Sequence, residues 1–169
     1  MARHHANRGA SLESALATQH EAYALTGRAF VLRTSAPMRI LRRLPKGGQF
    51  VAVFEAVGQP DYFAFAAGKS LVFDAKDHAG HAFPFSALPA HQAESFDGCA
   101  KQGVTAGLVI RLPEVNAAFW VGWDVLGPRW WLWKLNPGRA RPGTASADVE
   151  WLDAYGFRLT GLDWLSKLS

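Results

Sequence analysis

Cysteine is almost missing from this chain: Cys99 stands alone among 169 residues. An intramolecular disulfide and a cysteine-built zinc cluster are both excluded, and a reducing cytosol is the natural setting. Long apolar runs are missing too. No stretch reaches the roughly 18 residues that mark a membrane-spanning helix, and the opening MARHHANRG lacks the apolar core of an export signal. The chain therefore reads as soluble and cytoplasmic, with no membrane partner. Charge is sparse, at 19%, and no repeat or low-complexity tract interrupts the text. Hydrophobic residues make up 49% and aromatics 12%, with seven tryptophans, which excludes wholesale disorder. The composition fits one folded domain over residues 1–169, with apolar surface to spare for an oligomer. The little charge there is leans positive, at a net +4, which is compatible with a polyanionic partner without requiring one.

Along the chain, residues 1–10 are polar and read as a flexible arm. Its Arg3, His4, His5 and Arg8 either order on DNA or remain an idle terminus. Ser11 to Thr26 reads as a helix, with Leu12, Leu16 and Tyr23 on one face and Gly27 as its stop. A strand over Arg28 to Thr34 is broken by Ser35-Ala36-Pro37. Residues 38–57 then read as a hairpin whose arms, Met38 to Leu44 and Phe50 to Val57, flank the turn Pro45-Lys46-Gly47-Gly48. Strands are expected at Asp61 to Ala66, Ser70 to Lys76, Val104 to Leu112, Ala117 to Trp123 and Arg129 to Leu135. A second helix is expected at Pro89 to Gln102, a loop at 136–147, and a short helical or mixed segment at the end. The nearly unbroken apolar VTAGLVIRL has the character of a central buried strand. The fold class is α/β, with a mixed sheet flanked by helices.

Chemistry concentrates in Pro60-Asp61 and, thirteen residues on, Asp74-Ala75-Lys76. Asp74 and Lys76 are two apart on a strand, so their side chains share a face. A tight connection between the strands carries Asp61 to the same end. Two acids and one ammonium then converge. Magnesium and similar hard cations prefer carboxylate, carbonyl and water ligands, which Asp61, Asp74 and the Ala75 carbonyl can supply. A lysine beside such a cation can polarise the attacking water and neutralise phosphate charge. The motif by itself also fits a surface Asp–Lys pair on an edge strand. Its position directly after the apolar Leu71-Val72-Phe73 favours the chemical reading.

Around that set the chain carries, in order, Asn7-Arg8-Gly9 with Leu12-Glu13, Ser35-Ala36-Pro37, Phe73 to Asp77, Phe83-Pro84-Phe85 with Leu88 and His91-Gln92, Gly103 to Ile110, and Asp163-Trp164-Leu165. In these blocks it resembles the RecU family of Holliday junction resolvases, within the PD-(D/E)xK nuclease superfamily. It implies a restriction-endonuclease-like core with a protruding basic hairpin, or stalk. It also implies a homodimer, and paired incisions in four-way DNA junctions with magnesium, manganese being able to substitute. By position, Asp61, Asp74 and Lys76 form the implied active-site set, Glu13 is a further metal or water ligand, and Gln92 supports the site from the second helix. The family setting implies a bacterial or phage-encoded protein that meets other recombination proteins. Two departures stand out. Gln59-Pro60 replaces a hydroxyl-bearing pair, and the central acid is Asp74 where the family has glutamate.

Arg39, Arg42, Arg43 and Lys46 fall where the family has its stalk and are the expected phosphate contacts, the alternative being a merely solvated hairpin face. His78 and His81 flank the Asp74-Ala75-Lys76 strand, and they either reach the phosphate or face solvent. His91 and Cys99 read as structural, and Glu55 as a surface acid. Trp120, Trp123, Trp130, Trp131 and Trp133 read as core or dimer interface rather than as a base-stacking platform. Two other functions stay open: a related nuclease acting on other DNA, and a catalytically silent DNA-binding module of the same fold.

Overall fold

The computed structural model describes residues 3–35, 38–45, 49–54, 59–136 and 144–167, with the side chains of 3–11, 38 and 54 outside that description. Arg8 as a side chain, Lys46, Glu55 and most of the 136–147 loop therefore lie outside the described residues. In chain order the elements begin with α1 (Arg3–Leu25), β1 (Phe30–Arg33), β2 (Met38–Arg43), β3 (Phe50–Phe54), β4 (Tyr62–Ala66), β5 (Lys69–Asp77) and β6 (Ala82–Pro84). There follow α2 (Ala90–Lys101), β7 (Thr105–Leu112), β8 (Ala117–Gly122), α3 (Trp123–Leu135), β9 (Ser146–Asp148), α4 (Val149–Tyr155) and β10 (Phe157–Arg158).

Six strands form one sheet in the order β1-β4-β5-β7-β8-β10. Its pairings are antiparallel except β5 with β7, which run parallel. Side chains alternate between two cores. Val72, Leu108, Ile110, Phe119 and Val121 pack with Ala93 and Phe96 of α2 and with Leu126 and Trp130 of α3. Leu71, Phe73, Val109 and Trp120 pack with Leu12, Leu16 and Tyr23 of α1 and with Trp164. The central strands are buried on both faces, which is why β7 reads as a continuous apolar run. The tryptophans at 120, 123 and 130 are buried core residues, while Trp131 and Trp133 are partly buried against the α2/α3 core.

The structure differs from the sequence expectation in several places, among them Ser146 and Ala147, expected as loop and found in β9, and Trp123, expected in a strand and found at the start of α3. Helix α1 begins at Arg3, through the segment expected as a flexible arm. Gly9 is the only strong helix-breaker there, and one glycine costs a helix only about 1 kcal/mol. Arg129 to Leu135, expected as a strand, belongs to helix α3. Aromatic density suggests a strand, but the buried residues Trp123, Leu126, Gly127 and Trp130 follow helical spacing, and packing against α2 and β7 decides. His91, expected buried, is half-buried in the first turn of α2. The hairpin is present as β2 and β3, a separate two-stranded antiparallel sheet with an irregularity between Ile40 and Arg42.

Candidate active site

The β4–β5 connection is a two-residue turn. Ala67 and Gly68 both have positive φ, at 49° and 74°, and Ala66 pairs with Lys69. That is the turn type whose twist suits a hairpin. From it the ladder runs without slip to Tyr62 opposite Phe73, so the next step sets Asp61 across from Asp74. The Asp61 backbone N–H donates to Asp74 Oδ1 at 2.8 Å, and the Ala75 N–H donates to Asp61 Oδ2 at 3.4 Å. Tyr62 and Phe73 stack on the α1 face, their ring centroids 4.8 Å apart. Alternation therefore turns both carboxylates toward the α2 face.

Lys76, two residues beyond Asp74, points the same way. Its Nζ lies 3.2 Å from Asp74 Oδ2 and donates to Gln92 Oε1 at 2.8 Å. Gln92 sits in the first turn of α2, where its backbone N–H bonds the Pro89 carbonyl at 3.1 Å. The structure thus brings together Asp61, Asp74, Lys76 and Gln92.

Asp74 is 0% exposed, the one charged residue buried as a whole among the described residues. Its Oδ2 has no hydrogen-bond partner, because the Lys76 ammonium is close enough to form an ion pair but not aligned to donate. A buried carboxylate oxygen left without a hydrogen bond costs roughly 1–3 kcal/mol, and such a cost calls for a reason. Burial raises the Asp61 carboxyl above its ordinary range. The neighbouring Asp74 charge raises it further, and Lys76 pulls it back. No three of His, Cys, Asp and Glu form a ready metal cluster among the described residues. Two adjacent carboxylates, one with an unsatisfied buried oxygen, together with a strand carbonyl, nevertheless fit a hard cation that completes its shell with water.

Glu13 is placed differently. It pairs with Arg33 at 2.6 Å, both half-exposed, and Arg33 lies in register with Tyr62 on the α1 face. Its charge reaches Asp61 only as the last of the influences on that carboxyl. Arg39, Arg42 and Arg43 are exposed on β2, outside the six-stranded sheet that carries the carboxylates. Cys99 is half-buried in α2.

Two features went unread in the sequence. Asp77 is ion-paired to Arg111, an arrangement created by the parallel register that sets Asp77 beside Arg111. Nothing in a separation of 34 residues announces it. His20 lies among Tyr23, Tyr62, Phe73 and Trp164 and accepts a hydrogen bond from Trp164 Nε1 at 3.2 Å. Its sign in the text was a histidine in helical register with the apolar Leu16 and Tyr23.

The sequence comparisons point to one family. The sequence pattern of the RecU family, recombination protein U, matches residues 7–160. The Holliday junction resolvase RecU of Geobacillus thermodenitrificans (strain NG80-2) is 30% identical over 135 residues, which span 77% of this chain and 67% of that protein. Among solved structures, Archaeoglobus fulgidus Hjc, a Holliday junction resolvase from an archaeal hyperthermophile, aligns over 83% of this chain and 93% of its own. That alignment has a TM-score of 0.46 at 14% identity.

Proposed function

This chain belongs to the RecU family, and from that premise we infer that it is a Holliday junction resolvase, a crossover junction endonuclease that cuts DNA phosphodiesters. The observation that carries the chemistry is the buried Asp74 carboxylate, with one oxygen held by the Asp61 N–H and the other short of a hydrogen bond beside Lys76.

The enzyme is metal-dependent in this reading. Asp61, Asp74 and the Ala75 carbonyl would hold a magnesium ion, for which manganese could substitute, and Glu13 would join as a ligand only by leaving Arg33. When bound, the cation supplies Lewis acidity at the scissile phosphate and lowers the pKa of a water. The chain's own residues do the rest. Lys76 orients the attacking water and offsets charge on the non-bridging oxygens, while Gln92 fixes the lysine amine through its amide oxygen. Water oxygen bonds to phosphorus as the bond to the leaving oxygen breaks in line, the proton lost by the water passing to solvent and the leaving oxygen taking one from solvent.

The substrate is a four-way junction. Arg39, Arg42 and Arg43, with Lys46, act as phosphate contacts on a protruding stalk and Arg8 as one from the start of α1, and two copies cut symmetrically as a homodimer. The setting is the cytoplasm of a bacterium, or a phage that infects one, with other recombination proteins as neighbours.

The test is incision of a labelled four-way junction and a matched linear duplex, with magnesium, manganese or chelator, by the wild type and by Lys76→Ala. Paired nicks confined to the junction, dependent on metal and lost in the variant, are the expected result. Equal cutting of both substrates would reduce the reading to a nuclease without junction selectivity. Retained junction binding without cutting would leave a silent DNA-binding module.

A further inference from the structure

We propose that His78 is a further residue of this site, one that donates a hydrogen bond to the phosphate adjoining the scissile one. The proposal rests on the junction-cleaving reading above. Val72 packs against the α2 core, Asp74 and Lys76 converge beside Gln92 of α2, and the intervening Phe73 and Ala75 pack on the α1 side. Asp77 continues that alternation toward Arg111. The His78 N–H bonds the Arg111 carbonyl at 3.0 Å, the bond that closes the Asp77–Arg111 register pair, so the His78 backbone is still held on the edge of β7 just past the end of β5. Alternation therefore sends the His78 side chain to the face that carries Asp74 and Lys76. It is half-buried there, whereas His81, three residues on, is exposed in the loop after Gly80 and contributes its carbonyl to Val149.

Residues two apart on a strand are separated by roughly 6.6 Å. This is close to the spacing of neighbouring phosphates along a nucleic-acid strand. Asp74, Lys76 and His78 thus form a same-face series whose step matches the substrate. If Lys76 meets the scissile phosphate, the imidazole stands one step along. An imidazole offers an N–H donor in either protonation state, so it can hold a phosphate oxygen and fix the register of the strand being cut. His78 acts in positioning the substrate rather than in breaking the bond.

The experiment is a cycle between enzyme and substrate. Single-turnover cleavage with magnesium is measured for wild type, His78→Ala and His78→Gln. The junctions are all-phosphate or carry one neutral methylphosphonate at either neighbour of the scissile position. A hydrogen bond to a charged group is worth enough that each single change should slow cleavage roughly ten- to a hundredfold. At one of the two neighbours, His78→Ala combined with the methylphosphonate should be no worse than either alone, and His78→Gln should recover part of the loss on the all-phosphate junction. Independent, multiplying losses at both neighbours would overturn the inference while leaving the resolvase reading intact. A wild type that cuts no junction would fail the resolvase reading, and the His78 role would fall with it.

Discussion

The Asp74 carboxylate is the residue on which the proposed chemistry turns, and its surroundings give a sharp expectation. Asp74→Asn keeps the volume and can still accept from the Asp61 N–H, but it removes the charge from the buried oxygen beside Lys76. Junction cleavage should fall by at least a thousandfold, while junction binding, measured by fluorescence anisotropy with calcium, should stay within about threefold. Loss of binding in parallel with cleavage would sink the assignment. Gln92 allows a finer test, because its amide oxygen holds the Lys76 amine at 2.8 Å. Gln92→Ala should lower the cleavage rate roughly tenfold with little change in junction affinity, the cost of one charge-assisted hydrogen bond. An unchanged rate would remove Gln92 from the site. The Asp61, Asp74 and Lys76 convergence was legible because period-two alternation and a short turn fix which side chains meet. Glu13 was less so. Its expected place near the carboxylates came from resemblance, and no pattern in the chain announces its ion pair with Arg33.

Elements divide by whether their pattern is local. Strands β4 and β5 and helix α2 were readable because turn residues and apolar alternation lie within a few positions of each other. Helix α3 was not, since its Trp-rich text suits a strand by propensity and only contact with α2 and β7 selects the helix. Gly127 makes that packing testable. A methyl group there would lie 2.8 Å from the Trp123 ring, whose Nε1 is fixed at 2.6 Å from Asp97. Alanine normally gains about 1 kcal/mol over glycine within a helix, but overpacking of a fixed ring costs roughly 1–3 kcal/mol. Packing should win, so Gly127→Ala should lower the thermal midpoint, read by tryptophan fluorescence; a raised midpoint would mean that the ring yields. The hairpin is an element whose form was legible and whose role is a proposal. Replacing Arg39, Arg42 and Arg43 by alanine should weaken junction binding and reduce the slope of log affinity against log salt by about 2–3. The fold should remain, because these side chains are exposed and belong to a separate sheet.

At the scale of the whole molecule, the two cores are joined through one sheet, and His20 is the point where α1, β4, β5 and the C-terminal segment meet. Its ring lies 5.2 Å from Tyr62, 6.0 Å from Phe73 and 5.9 Å from Trp164. Tyr62 and Phe73 adjoin Asp61 and Asp74 in the chain, so this cage backs the site across the thickness of the sheet. Because Trp164 Nε1 donates to His20 Nε2, the imidazole must be neutral at that nitrogen. Burial lowers its pKa from 6.5 to about 4. The unfolded chain therefore binds a proton that the folded chain excludes. Stability is at its full value above about pH 6.5 and declines as pH falls through the window from 6.5 to 4. Discounted for partial exposure, the effect is roughly 1–2 kcal/mol, or about 3–6 °C in midpoint for a chain of this size. His20→Gln keeps an acceptor for the Trp164 indole and cannot titrate. Its midpoint should drop less than that of the wild type between pH 7 and pH 5, with other titrating groups contributing equally to both proteins. Identical declines would show that the cage does not exclude the proton, and that the C-terminal segment is held to α1 by its remaining ties, Tyr23 and Arg28 on Asp163.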